Sequence, residues 1–218
     1  MNNIWLEQIV SNPELMSMGH GQRAEDKNLG MGWMYYALAR MYRPATVVCI
    51  GSWRGFVPMM FARGMQDNAQ AGTVHFVDPG MVDDHWQSPE SVSEWFDHHD
   101  VNNITHHKKT TQQFVETNVY RNLHNIDILF VDGYHSAEQA QYDHEAFVSK
   151  LSTNSIVLFH DSMSRNASKI YGTDRVYNYS VCDYIDQLRD QPNIQVMDFP
   201  FENGVTLLRR RDLDLEKT

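Results

Sequence analysis

The sequence predicts an α/β fold, a three-layer sandwich around a mostly parallel sheet of seven strands, and three observations carry that expectation. Short apolar, β-branched runs alternate along the chain with segments of helical periodicity. The strongest runs, 126–131 and 155–159, are almost continuously apolar, as strands covered on both faces must be. The last two runs flank an Asn203-Gly204 turn, which signals a hairpin and hence an antiparallel strand at the C-terminus.

The elements follow in order. Met34, Ala37, Leu38 and Met41 recur at three- and four-residue steps, so 29–41 reads as a helix that stops before Pro44 and packs through Trp33, Met34 and Met41. Strand 46–50 leads into the loop 51–55, then into helix 56–65 with Pro58 in its first turn. Strand 73–77 closes at Asp78-Pro79-Gly80. Ser88 ahead of Pro89 marks the start of helix 89–98. Strand 104–107, helix 111–123, strand 126–131, helix 135–151, strand 155–159, helix 176–190 and strands 194–198 and 204–209 complete the chain. The 218 residues suit one domain, with 1–43 as an N-terminal helical cap packed on the unit 44–218.

Composition excludes several partners. With 18 Lys+Arg against 28 Asp+Glu the net charge is −10, which argues against a nucleic-acid phosphate backbone and suits a cationic ligand. The basic stretch 209–211 reads as a solvated strand end. No apolar run approaches the roughly 18–20 residues of a membrane span, and MNNIWLEQIV has no secretory character, so a cytoplasmic location is expected. Cys49 and Cys182 can build neither a disulfide scaffold nor a four-cysteine zinc site. Of the eleven histidines, the pairs His98-His99 and His106-His107 are expected at the surface, as are His85, His124 and His144.

Ligands in parallel sheets bind beyond the carboxyl ends of the strands. That rule nominates Gly51, Ser52 and Gly55 in the glycine turn, Asp78, Thr110 and Thr111, and the stretches Asp132 to His135 and His160-Asp161. The turn lacks both the GxGxxG and the P-loop patterns, so it reads either as a plain tight turn or as a close backbone approach to a ligand. Asp78 is placed either to cap a turn or to accept from both hydroxyls of a ribose. A right-handed crossover brings Asp132, His135, His160 and Asp161 to neighbouring strand ends. Two carboxylates with imidazoles there suit a divalent cation or general-base chemistry; the plainer alternative is helix caps satisfied by histidines. The segment 171–179, with Gly172 and three tyrosines, reads as a lid over a ring or as simple packing.

The glycine turn, VDP after the second strand, FVDGYHS, the helix reaching Asp143 and LFHDS together resemble class I S-adenosylmethionine-dependent methyltransferases. The likeness is to the group of small-molecule O-methyltransferases, macrolide-sugar methyltransferases and cephalosporin-hydroxylase-like proteins, and it runs from about residue 44 to 210. It implies a Rossmann-like fold and S-adenosylmethionine as cofactor. Gly51, Ser52 and Gly55 would line its methionine and ribose side together with Asp132, Asp78 would hold the ribose diol, and Thr110 and Thr111 would lie near the adenine. In the sugar-methylating relatives a D-x-x-H stretch supplies a metal-binding Asp and a catalytic His, here Asp132 and His135. The implied metal ligands are Asp132, His160 and Asp161. This sequence departs from the pattern twice: His160-Asp161 replaces an acidic pair, and Cys49 stands where an acid is usual.

The expected function is O-methylation of a small-molecule hydroxyl, with His135 as general base and help from a divalent cation. An aliphatic hydroxyl near pKa ~15.7 faces an imidazole near ~6.5 across about nine units, or roughly 12 kcal/mol. A phenol near ~10 narrows this to about 5 kcal/mol, so a cation matters most for the former. His160 in place of a carboxylate shifts the preferred ion from Mg²⁺ toward Mn²⁺, Fe²⁺ or Zn²⁺. The competing readings are a nicotinamide-dependent oxidoreductase, disfavoured by the missing pyrophosphate fingerprint, and a cofactor-binding protein without turnover. A homo-oligomer is left open.

Overall fold

The computed structural model describes residues 3–69, 71–169 and 172–211. In chain order its elements are α1 (Asn3–Val10), α2 (Pro13–Met16), α3 (Gly32–Tyr42), β1 (Thr46–Ile50), α4 (Phe56–Gln66), β2 (Thr73–Val77), α5 (Pro89–His98) and β3 (Ile104–His107). There follow α6 (Thr111–Phe114), α7 (Asn118–Asn122), β4 (Ile126–Val131), α8 (Ala137–Val148), β5 (Leu151–His160), β6 (Ala167–Ser168), β7 (Tyr177–Asn178), α9 (Val181–Arg189), β8 (Ile194–Phe199) and β9 (Val205–Arg210). Seven strands form one sheet in the order β3-β2-β1-β4-β5-β9-β8, and β6 and β7 form a separate short hairpin. β1 lies between β2 and β4 and parallel to both, with Val47 opposite Val74 on one side and Ile128 on the other.

The antiparallel C-terminal strand is present, but it lies inside the sheet. From β5 the chain crosses over through α9 to β8, then returns as β9 into the gap, antiparallel to both neighbours.

Period-two alternation sorts the strand side chains into two cores. Val47, Cys49, Phe76, Phe130 and Leu158 pack with Trp5, Ile9, Tyr35 and the apolar face of α4. Val48, Ile50, Leu129, Val131 and Phe159 pack with Phe147, Val181 and Ile185. Among the described residues no helix is long and apolar enough to cross a membrane.

Four local expectations are corrected. The buried stripe of α3 is Gly32, Tyr35 and Ala39, one position round from that expected, and Met41 is 75% exposed. The cause is a close α3–α4 crossing: a Cβ on Gly64 would meet the Ala39 Cβ at 2.6 Å. The single helix 111–123 is two short ones, because Thr117 caps a new start, accepting from Tyr120 N (3.1 Å). Helix 135–151 starts at Ala137, where the Ser136 hydroxyl accepts from Gln139 N (3.2 Å), which leaves His135 in the loop. His99 and His144 are buried rather than solvated; Trp95 O lies 2.7 Å from His99 Nδ1 and Tyr184 Oη 2.8 Å from His144 Nδ1.

Candidate active site

The carboxyl ends of β1, β2, β4 and β5 open into one cavity of about 770 Å³. Gly51, Ser52, Asp78, Thr110, Thr111, Asp132, His135, His160 and Asp161 all line it; Gly55 starts α4 from behind the loop. On one side the glycine turn crosses the end of β4 so closely that a Cβ on Gly51 (φ 72°) would fall 2.0 Å from the Asp132 carbonyl oxygen. No other residue fits there. Ser52 (φ 151°) and Trp53 (φ 42°) continue in the left-handed region, and their N–H groups donate to the Asp78 carboxylate, which also accepts from Gly80 N at 2.7 Å. Burial pushes the Asp78 carboxyl up to about 6 despite these bonds. Thr110 uses its hydroxyl as the cap of α6, accepting from Gln113 N (3.3 Å), while the Thr111 hydroxyl bonds to Asp143.

The other strand ends hold the carboxylate–imidazole cluster. His135 Nε2 donates to Asp132 Oδ1 (3.1 Å), and His160 Nδ1 donates to the same oxygen (3.0 Å). Asp161, held at φ 52°, brings Oδ2 to 3.3 Å from His135 Nδ1 and Oδ1 to 3.4 Å from His160 Nδ1. Burial would neutralise His160, but the facing Asp132 and Asp161 carboxylates outweigh it and hold the imidazole well above its usual range. Burial would likewise raise Asp132; the His160 charge and the two histidine bonds keep it ionised, below the usual carboxylate range. His135 Nδ1 and Asp161 Oδ1 are buried without a hydrogen-bond partner. Asp132, His135 and Asp161 each offer one ligand atom, all within 4.8 Å of one another, and His160 stands outside that group.

Sequence reasoning missed His20. The N-terminal segment carries it into the cavity wall, where its ring lies 4.2 Å from that of His160 and Tyr35 Oη lies 3.3 Å from its Nδ1. Burial pushes His20 down to about 3, so it stays neutral beside the His160 cation. No periodicity surrounds it; the one signal was Gly30, whose φ of 55° lets its backbone pass where a Cβ would come within 2.0 Å of the His20 carbonyl. Asp143, marked in the sequence as a helix position only, lines the cavity too, accepting from Gln139 Nε2 (2.7 Å); burial raises it to about 6. The segment expected as a lid forms the β6–β7 hairpin, docked rather than open. Tyr177 stacks on Tyr134 (4.3 Å, 15°) and Tyr179 meets His135 edge-on (4.6 Å, 90°). Tyr171 of that segment lies outside the described residues. Cys49, where an acid was expected from the resemblance, points into the core and leaves the cavity floor to Asp132.

A central β1 ending in a glycine turn, next to a β2 that ends in a buried acid, is the architecture of class I methyltransferases. A family described as a methyltransferase domain matches residues 48–162, more than half of the chain, and the chain belongs to that family. Among solved structures it is similar to the methyltransferase PaMTH1 of Podospora anserina with bound SAH, at a TM-score of 0.64 and 18% identity, covering 97% of this chain and 89% of that one. It is also similar to the O-methyltransferase TomG of Streptomyces achromogenes, involved in tomaymycin synthesis and in complex with SAM, with TM-score 0.62, 13% identity and coverage of 96% and 90%. At such identities the likeness is one of fold. A curated relative, the uncharacterized protein y4gI of Sinorhizobium fredii, is 25% identical over 178 residues, 81% of this chain; the chain spans 18% of that relative's length.

Proposed function

We propose that the chain is an S-adenosylmethionine-dependent methyltransferase that methylates a hydroxyl oxygen of a small molecule, with His135 as general base. One observation carries this: Asp132 accepts the Nε2–H of His135, which leaves His135 Nδ1 without a hydrogen bond in the cavity lining, 3.3 Å from Asp161 Oδ2. Asp132 thereby sets the tautomer, and Nδ1 would take the proton of an acceptor hydroxyl, with the neighbouring Asp161 carboxylate stabilising the imidazolium that forms. The cationic His160 shares Asp132 and keeps it ionised.

The cofactor supplies an electrophilic methyl group on a sulfonium. Gly51 and Ser52 provide the backbone against which it would lie, with Gly55 behind them and Asp132 beside them. Asp78, a buried carboxylate at the end of β2, suits the ribose diol, and Thr110 and Thr111 border the adenine side. Four carboxylates in the wall, Asp78, Asp132, Asp143 and Asp161, match a positively charged donor. Residues 1–43 act as a cap on the same domain as 44–218, closing the acceptor side with Ser17 to His20.

The unpartnered His135 Nδ1 and Asp161 Oδ1 favour a second reading, in which Asp132, Asp161 and His135 hold a divalent cation. Such an ion would supply Lewis acidity to the hydroxyl in place of the base. His160, nominated from the sequence as the third ligand, lies outside the set of ligand atoms that Asp132, His135 and Asp161 bring within 4.8 Å of one another, so His135 fits better. Calorimetric titration with S-adenosylhomocysteine and with NAD tests the cofactor. The expected result is binding of the first and not of the second; the reverse overturns the assignment. Repeating the titration and a methyl-transfer assay with EDTA, then with Mn²⁺ or Mg²⁺, separates base from cation.

A further inference from the structure

Four aspartates line the cavity together with His160, which pairs with two of them, and with Lys109 and Arg175. Its floor carries Asp78, Asp132, Asp143 and Asp161, whereas its only described arginine is Arg175, on the short 3-10 turn Thr173–Arg175 at the tip of the β6–β7 hairpin. Arg175 makes no ion pair among the described residues. Arg23, Arg40, Arg54, Arg63, Arg165 and Arg189 all pair with a carboxylate. Arg121, Arg209 and Arg210 also lack an ion pair among the described residues, but of the described arginines Arg175 alone lines the cavity, where its exposed guanidinium faces an acidic floor.

Its surroundings are aromatic. Two residues on, Tyr177 stacks on Tyr134, and Tyr179 meets His135 edge-on. The hairpin is fixed to the His135 loop by Ser180 N donating to the His135 carbonyl (3.0 Å) and Ala137 N donating to Ser180 Oγ (2.9 Å). The turn itself closes through Gly172 N to Lys169 O (2.8 Å). Arg175 thus stands two residues before a strand that packs, through Tyr177 and Tyr179, on the loop that carries Tyr134 and His135.

We infer that Arg175 selects the acceptor, binding an anionic group, a carboxylate or a phosphate, on a planar molecule whose hydroxyl lies at His135. The inference rests on His135 marking the acceptor site. A guanidinium matches either anion through paired N–H donors, and the tyrosines supply flat apolar surface for the ring. The acidic floor sharpens the choice: it would repel an anion placed near the donor, so a charged acceptor fits only with its anion turned to the hairpin tip.

The test is calorimetric titration of the full chain, saturated with S-adenosylhomocysteine, with benzoate, phenyl phosphate and neutral benzamide. At least one of the anions should bind tenfold or more tightly than benzamide, the factor expected of a charge-assisted bond. Whichever anion does so tells carboxylate from phosphate. Arg175→Gln should remove the preference and Arg175→Lys restore part of it, with S-adenosylhomocysteine affinity unchanged in both. Lys109→Gln, on the opposite wall beside Thr110, should leave the preference intact. The inference is overturned if benzamide binds as well as the anions, if none of the three binds, or if the preference survives in Arg175→Gln. The same fragments titrated without cofactor keep the test distinct: failure of S-adenosylhomocysteine to bind would count against the methyltransferase reading alone.

Discussion

The two walls of the cavity are made by different means. The cofactor wall is backbone and strand ends: Gly51 against the Asp132 carbonyl, Ser52 and Trp53 N–H groups on Asp78, Thr111 on Asp143. The acceptor wall is side chains borne on excursions from the sheet, namely His20 from the N-terminal segment, Tyr177, Tyr179 and Arg175 from the hairpin, and Asn203 from the last turn. A wall of backbone tolerates almost no change of residue. A wall of side chains on loops can be altered while the sheet beneath it stands.

The largest effect is expected where the backbone is tightest. Gly51→Ala forces a Cβ to 2.0 Å from a carbonyl oxygen at positive φ, and should cost more than about 3 kcal/mol and abolish S-adenosylhomocysteine binding, checked by urea denaturation and calorimetry. At the junction of the walls, His135→Ala should lower kcat by about 10²- to 10⁴-fold with cofactor affinity nearly unchanged, as a methyl-transfer assay would show. Full activity would remove it as the base.

Asp78 ties affinity to pH. Burial pushes its carboxyl up to about 6; if it holds the ribose as proposed, only the ionised form would accept from both hydroxyls, so cofactor affinity should rise as pH increases through 6 and level off above 7. Asp78→Asn should bind about ten- to a hundredfold more weakly and lose that pH dependence, read by calorimetry between pH 5 and pH 8, all on the order of a lost charged hydrogen bond. The smallest change belongs to the acceptor wall. Tyr177→Ala removes the stack on Tyr134 and should raise the acceptor KM about three- to tenfold with cofactor binding intact. Were it to weaken the cofactor as much as the acceptor, the division into two walls would fail.

The same division decides what could be read from the chain. Strand 126–131 and helix 89–98 form residue for residue, because apolar continuity and a Ser-Pro cap are local signals. The Asp-beside-His pairs at 132–135 and 160–161 were legible because strand ends in a parallel sheet have a known destination. His20 was not. It stands in a loop whose shape is set by bonds from Gln22 and Met31, side-chain and backbone groups without pattern in sequence. The register of α3 was misread for a related reason: the contact of Ala39 with Gly64 depends on how closely two helices cross, which periodicity alone cannot say.

The position of Gly21, whose built Cβ would lie 3.4 Å from Glu202 Oε1, has a consequence for the order of folding. Two segments far apart in sequence, Ser17 to His20 and the turn that carries Asn203, meet at the cavity, and β9 after that turn lies between β5 and β8. Contacts of such sequence separation form late, since the long loop must close before they repay it. The pairings of β1 with β2 and β4, which set Asp78 and Asp132 on either side of β1, span much shorter stretches of sequence. On refolding, the floor formed by Asp78 and Asp132 should therefore be in place before the mouth of the cavity closes over it.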